Sequence, residues 1–166
     1  MDGMNKKALV LLSGGLDSLL ALGLMRAQEI EIEAVAFFSY FSDGMRNGTM
    51  GRWVRRAADH FGVRVHWRML RDTFVQMVRT PEHGYGVGCN PCIDCRILML
   101  REARALLEPC GASFLVTGEV LGERPMSQHK NALACIERAT GLEGLIVRPL
   151  SGQLLPPTKP EEAGII

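Results

Sequence analysis

The stretch Ser13-Gly14-Gly15-Leu16-Asp17-Ser18 follows directly on the apolar run ALVLL, and this junction constrains the fold more than any other feature of the chain. A buried strand that ends in two glycines can turn sharply and present bare backbone N–H groups to a ligand. The helix expected next, over Ser18–Gln28, adds the positive end of its dipole. Strand, glycine turn and helix N-terminus together make an anion site, with the hydroxyls of Ser13 and Ser18 as further donors to phosphate oxygens. An aspartate repels phosphate unless a cation lies between them, so Asp17 implies Mg²⁺ beside a nucleotide. The loop lacks the lysine of GxxxxGK[ST] and does not match GxGxxG. A glycine turn followed by a helix capped by Ser13 or Asp17 is the reading that needs no ligand.

Downstream, short apolar runs alternate with helical patterns. Strands are expected at Lys7–Leu12, Ile32–Phe38, Val63–Arg68, Phe114–Thr117 and Leu145–Val147. Helices are expected at Gly51–Phe61, Ile93–Leu107 and Met126–Thr140. This order predicts an α/β fold, a doubly wound parallel sheet covered on both faces. The 166 residues fit one domain, here residues 1–150. The proline-rich stretch 151–166 reads as a tail or the start of a further segment. A net charge of +1 gives no global basic field, so an RNA site would be a local patch such as Arg52–Arg56. A charged solvent-facing helix explains that stretch as well. No run approaches the ~18 apolar residues of a membrane span, and a cytoplasmic location is expected. In an open parallel sheet ligands collect at strand carboxyl ends, which makes Phe38 a candidate for an adenine wall.

The six-residue loop matches SGGxDS, the pyrophosphate loop of the ATP pyrophosphatases, which cleave ATP between the α and β phosphates. Two further blocks, TGEVLGERPMSQ (117–128) and LIVRPLSG (145–152), occur in the same order as in the ATP-pyrophosphatase domain of the tRNA 4-thiouridine synthases. The chain resembles that domain from about Lys7 to Leu150. The resemblance implies an adenine nucleotide alpha hydrolase-like fold and ATP contacts from Leu11, Leu12, the loop residues Ser13–Ser18, Arg96, Gly118 and Gln128. Glu123 stands where the family usually has glutamine. Arg124 and Lys130 offer positive charge to phosphate or RNA, although Gln128, His129 and Lys130 would also suit a solvated helix face. The synthases carry an RNA-binding THUMP module ahead of this domain and a persulfide-bearing cysteine beyond the RPL block.

Three of the five cysteines, Cys89, Cys92 and Cys95, form a C-x2-C-x2-C run. That spacing is used by iron–sulfur ligands, and three thiolates would leave one iron of a [4Fe–4S] cluster open to sulfide. Two other readings stand beside it. Zinc could take the three thiolates with His83 as fourth ligand, or Cys89 could act as a metal-free persulfide nucleophile. The start of the run also resembles the CN-x-x-I signature of the tRNA 2-thiouridylases, in which the matching cysteine transfers sulfur. Cys110 and Cys135 read as isolated apolar thiols, Cys135 being the better candidate for an outside ligand.

The resemblance implies an ATP-dependent sulfurtransferase that adenylates a uridine carbonyl of tRNA and replaces its oxygen with sulfur. Asp17, Cys89, Cys92 and Cys95 would carry the chemistry. The sulfur would come from a cysteine desulfurase or from sulfide, and a second copy of the chain is a further partner compatible with its apolar helix faces. An ATP-dependent amide ligase and a noncatalytic nucleotide- or metal-binding module are the other function classes open to such a chain.

Overall fold

Strand β1 (Lys7–Leu11) is KALVL, and its residues alternate between two cores. Ala8 and Val10 face one side of the sheet with Leu22, Met25 and Val54. Leu9 and Leu11 face the other with Ile97, Leu100 and Ile136. A strand buried on both faces needs apolar residues at every position, which is why the run shows no polar alternation. The structure, a computed structural model, describes residues 5–42 and 47–166.

Five parallel strands lie in the order β3-β2-β1-β4-β5, with β2 at Glu31–Ser39, β3 at Arg64–Leu70, β4 at Phe114–Val116 and β5 at Ile146–Val147. Val10 of β1 sits opposite Ala34 of β2 on one side and Val116 of β4 on the other. The chain therefore winds outward from β1 in one direction, returns, and winds outward in the other. That reversal opens a crevice beyond the carboxyl ends of β1 and β4. The parallel α/β architecture expected from the strand–helix alternation is the one found.

Helices α1 (Leu16–Ala27) and α2 (Thr49–Phe61) cover one face, and α4 (Cys92–Cys110) and α5 (Lys130–Thr140) cover the other. An eight-residue helix, α3 (Asp72–Arg79), was not anticipated from the sequence; none of its residues is buried. The last expected long helix is shorter than its pattern. It starts at Lys130 rather than Met126, because His129 is its N-cap and accepts the Ala132 N–H through Nδ1. Residues 117–128 consequently stay in a loop over the crevice.

The proline-rich stretch folds back on the domain. Thr158 and Glu161 form a reciprocal capping box at α6 (Lys159–Glu162), and Ile165 is buried in the first core. Among the described residues, no helix is long and apolar enough to cross a membrane.

Candidate nucleotide site

The crevice is a cleft of about 280 Å³ lined by the loop after β1, the loop after β4 and one face of α4. Eight residues expected from the sequence meet there: Leu11, Leu12, Ser13, Asp17, Ser18, Arg96, Gly118 and Gln128. Arg124 joins them. Lys130 lines a different cavity, with Pro149 and Glu161.

The loop leaves the start of α1 without a side-chain cap, while its own Ser13 and Gly15 N–H groups are held by Ser18 and Ser13 Oγ. Gly14 takes φ of +79°, and a Cβ there would stand 2.8 Å from Trp53 Cβ and 3.1 Å from the Val54 nitrogen. Only glycine fits both the left-handed conformation and the contact with α2. Gly15 is the N-cap of α1 and has no side chain to cap it, so neither Ser13 nor Asp17 closes the helix. The first-turn amides are thus offered to the cleft instead of to a side chain.

The two serines do different things. Ser18 is buried; its hydroxyl donates to the Gly15 carbonyl at 2.8 Å and accepts the Ser13 N–H at 3.3 Å. In this structure it staples the turn. Ser13 is exposed; its Oγ accepts the Gly15 N–H at 3.3 Å and lies 3.1 Å from Ser18 Oγ, at the mouth of the cleft. Ser18→Ala should cost about 1–2 kcal/mol of stability by removing buried hydrogen bonds. Ser13→Ala should leave the urea midpoint unchanged and weaken nucleotide binding alone.

Leu16 is 69% exposed, and only its main chain belongs to the loop. Phe38 requires a correction. It is 4% exposed and stacks on Trp67 with ring centroids 5.5 Å apart, in the core on the far side of the sheet. Strand alternation turns its neighbours to the cleft instead, and Val35 and Phe37 line it.

Gly118 sits against protein rather than open space. A Cβ there would lie 2.5 Å from the Asp17 carbonyl carbon and 2.6 Å from the Ser18 nitrogen. The glycine lets the end of β4 abut the first turn of α1, and so sets the relation between the two loops.

Beneath the cleft lies a group that the sequence reading did not single out. Glu119, 2% exposed, is 3.0 Å from Arg96 Nε and 2.9 Å from Arg148 Nε, and it accepts a hydrogen bond from Thr117 at 3.0 Å. The Arg96 contact is an ion pair without hydrogen-bond alignment, since Glu119 Oε1 has no hydrogen-bond partner. Arg148 also pairs with Glu137 on α5. Burial pushes the Glu119 carboxyl up, but the charges of Arg96 and Arg148 outweigh it and hold the group below its usual range. The signal lay in the letters TGE and RPL, both quoted as blocks, but nothing in their spacing shows that they pair. Gln128, 3% exposed, keeps an unpartnered Oε1 at the cleft wall.

None of the three clustered cysteines lines the cleft, but Cys95 immediately precedes Arg96, which does. Cys89 is exposed at φ +56°, a conformation uncommon for a residue with a Cβ. Cys92 opens α4, Cys95 lies one turn on, and none of the three is in a disulfide. Burial raises the Cys95 thiol, and the nearby Arg96 charge partly offsets it. A tetrahedral zinc would hold its sulfurs about 3.8 Å apart. Among the described residues the three sulfurs do not all lie within 4.8 Å of one another. His83, the expected fourth zinc ligand, pairs through Nδ1 with Asp94. In the Arg52–Arg56 stretch, Arg56 lies over the half-exposed Trp53 at 5.0 Å and Arg55 over Trp67 at 5.9 Å.

Residues 3–154 match the family model described as "Thiamine biosynthesis protein (ThiI)". The chain is 34% identical over 129 residues to a tRNA-specific 2-thiouridylase MnmA of Syntrophotalea carbinolica, a match covering 71% of this chain and 36% of that protein. It is 30% identical over 148 residues to a probable tRNA sulfurtransferase of Lysinibacillus sphaericus, covering 89% and 35%. The chain thus spans little more than a third of the length of these curated relatives. Among solved structures it is similar in fold to a protein described as a predicted subunit of tRNA methyltransferase from Methanocaldococcus jannaschii. There the TM-score is 0.59 at 16% identity, with 87% of this chain and 67% of the other covered.

Proposed function

The chain belongs to the ThiI family, and from that premise we propose that it binds ATP over the Ser13–Ser18 loop and uses it to thiolate a uridine of tRNA. The observation that carries this reading is the start of α1. A glycine N-cap leaves its first amides without a side-chain cap at the mouth of a crevice whose walls hold Arg96, Arg124 and the unpartnered Oε1 of Gln128. Such a site favours an extended anion over a neutral ligand.

On this reading the amides and Ser13 grip the diphosphate end of ATP, while Val35 and Phe37 give an apolar wall to the nucleoside. Arg96 and Arg124 balance charge near the α-phosphate. Asp17 would hold Mg²⁺, which supplies neutralisation of the charge that builds on the departing diphosphate. A uridine carbonyl oxygen attacks the α-phosphorus, pyrophosphate leaves, and the base carries AMP. Sulfur then attacks the same carbon, AMP departs with the oxygen, and a thiocarbonyl remains. The base must be splayed from its stack to reach the cleft.

Cys89, Cys92 and Cys95 are three free thiols with the donor chemistry of an iron–sulfur cluster. They would hold a [4Fe–4S] cluster, which supplies an open iron for sulfide. The sulfur source is a cysteine desulfurase or sulfide, and the reaction belongs in the cytoplasm with its tRNA. The exposed stripe Leu16, Leu20 and Leu24 on α1 suits a second copy of the chain.

AMP release from ATP, followed with and without unmodified tRNA and sulfide, tests this reading. Release should require tRNA, and Asp17→Ala should reduce it on the order of 100-fold or more without shifting the melting temperature. Equal AMP release without tRNA removes tRNA as acceptor, and full activity in Asp17→Ala removes the loop assignment.

A further inference from the structure

His83 stands in the loop before the cysteine run, and both of its polar contacts on one side go to a single buried carboxylate. Asp94, 7% exposed in the first turn of α4, accepts the His83 main-chain N–H through Oδ2 at 3.0 Å and contacts Nδ1 through Oδ1 at 2.9 Å. The Asp94 carboxylate fixes the Nδ1 edge of the ring, and in the neutral imidazole with its proton on Nδ1 the Nε2 atom carries the lone pair. That lone pair faces Cys135 Sγ of α5 at 3.6 Å. Glu82 adds a second carboxylate beside the imidazole. The three residues come from a loop and two helices separated by up to 52 positions. They reproduce a thiol, a base and an orienting acid in hydrogen-bonding order.

We propose that Cys135, His83 and Asp94 form a base-assisted thiol site that accepts sulfane sulfur from a persulfide. The thiol is half-buried and in no disulfide, so a small donor or a donor protein's persulfide can reach it. His83 Nε2 takes the thiol proton as Sγ attacks the outer sulfur of R–S–SH. The donor's S–S bond breaks, and the departing R–S⁻ thiolate takes the proton from His83. The products are Cys135–S–SH and R–SH, so atoms and electrons balance with no outside oxidant. Asp94 positions the ring and stabilises its charge while the proton is held. Asp94 lies between Cys92 and Cys95, and α5 begins just after Gln128, so the site shares its supporting elements with the cysteine run and the cleft. Use of this sulfur for thiolation rests on the tRNA-thiolation reading; the transfer onto Cys135 does not.

The tryptic peptide Asn131–Arg138 contains Cys135 as its one cysteine, which makes the test direct. The full chain is treated with glutathione persulfide, without ATP or tRNA, and sulfur addition to that peptide is timed by mass spectrometry. The wild-type peptide should gain one sulfur, and His83→Gln and Asp94→Asn should slow the gain on the order of tenfold or more. Iodoacetamide labelling of the same peptide should slow in parallel, while far-UV circular dichroism and ATP binding show that each variant remains folded. Addition at an unchanged rate in folded His83→Gln, or addition confined to the peptide bearing Cys89, Cys92 and Cys95, overturns the proposal. Normal sulfur uptake at Cys135 in a chain that releases no AMP would instead count against the ATP-dependent reading and leave this site standing.

Discussion

Glu119→Gln should lower the stability of the domain by about 3–5 kcal/mol, the cost of breaking a buried ion pair from one side. The substitution keeps the shape and removes the charge that Arg96 and Arg148 share. Arg148 is 5% exposed and cannot turn to water; Glu137 remains its only charged partner among the described residues. For a domain whose whole margin is about 5–15 kcal/mol, such a loss moves the urea midpoint far to the left at unchanged slope. Function should fall with it, since Arg96 reaches the cleft from its seat on Glu119. The acid response supplies an independent check. The folded-state carboxyl titrates below its ordinary 4.5, so its contribution is full above that pH and is lost as pH falls through the folded value. Wild type should therefore lose more stability than Glu119→Gln on acidification below about pH 4.5. A loss under 1 kcal/mol at neutral pH would mean that the two arginines are held by something other than this carboxylate.

Gly118→Ala should damage the site more than the fold. Its Cβ would stand 2.5, 2.6 and 2.7 Å from Asp17 and Ser18 backbone atoms. None of these is a flexible side-chain end, so the first turn of α1 or the end of β4 must move. Overpacking of this kind costs about 1–3 kcal/mol. The displaced atoms belong to the turn that offers its amides to the cleft, and a shift of about 1 Å there is expected to lower turnover on the order of 100-fold. Gly152→Ala is the control: its nearest neighbour is the end of the Glu161 side chain at 3.9 Å, and it should be silent. Equal behaviour of the two alanine variants would show that the contact between β4 and α1 does not hold the loop in place.

The parallel sheet and the loop were legible because their determinants are local. A doubly buried strand and a glycine turn are each written in a few adjacent residues. The orientation of Phe37 and Phe38 was not, since β2 buries residues on both faces and its letters carry no alternation to say which aromatic meets the cleft. Helix α3 went unread for another reason: its apolar and polar residues do separate around the helix, but it is only eight residues long and none of them is buried. Gly118 was visible as a glycine at a strand end, but its purpose, contact with a helix turn, depends on two segments a hundred residues apart. The same holds for Glu119 with Arg148, and for His83 with Asp94 and Cys135. In each case the letters were present, and only the topology brings them together.

Titration calorimetry of the wild-type chain with ATP and with AMP, magnesium present, bears most directly on the claim that uncapped amides at the start of α1 hold a diphosphate. The account predicts saturable ATP binding at least about tenfold tighter than AMP, the difference arising from charge-assisted contacts to the two outer phosphates, and a narrowing of that gap in Gly118→Ala. Equal affinity for ATP and AMP, or no heat with either, would contradict it.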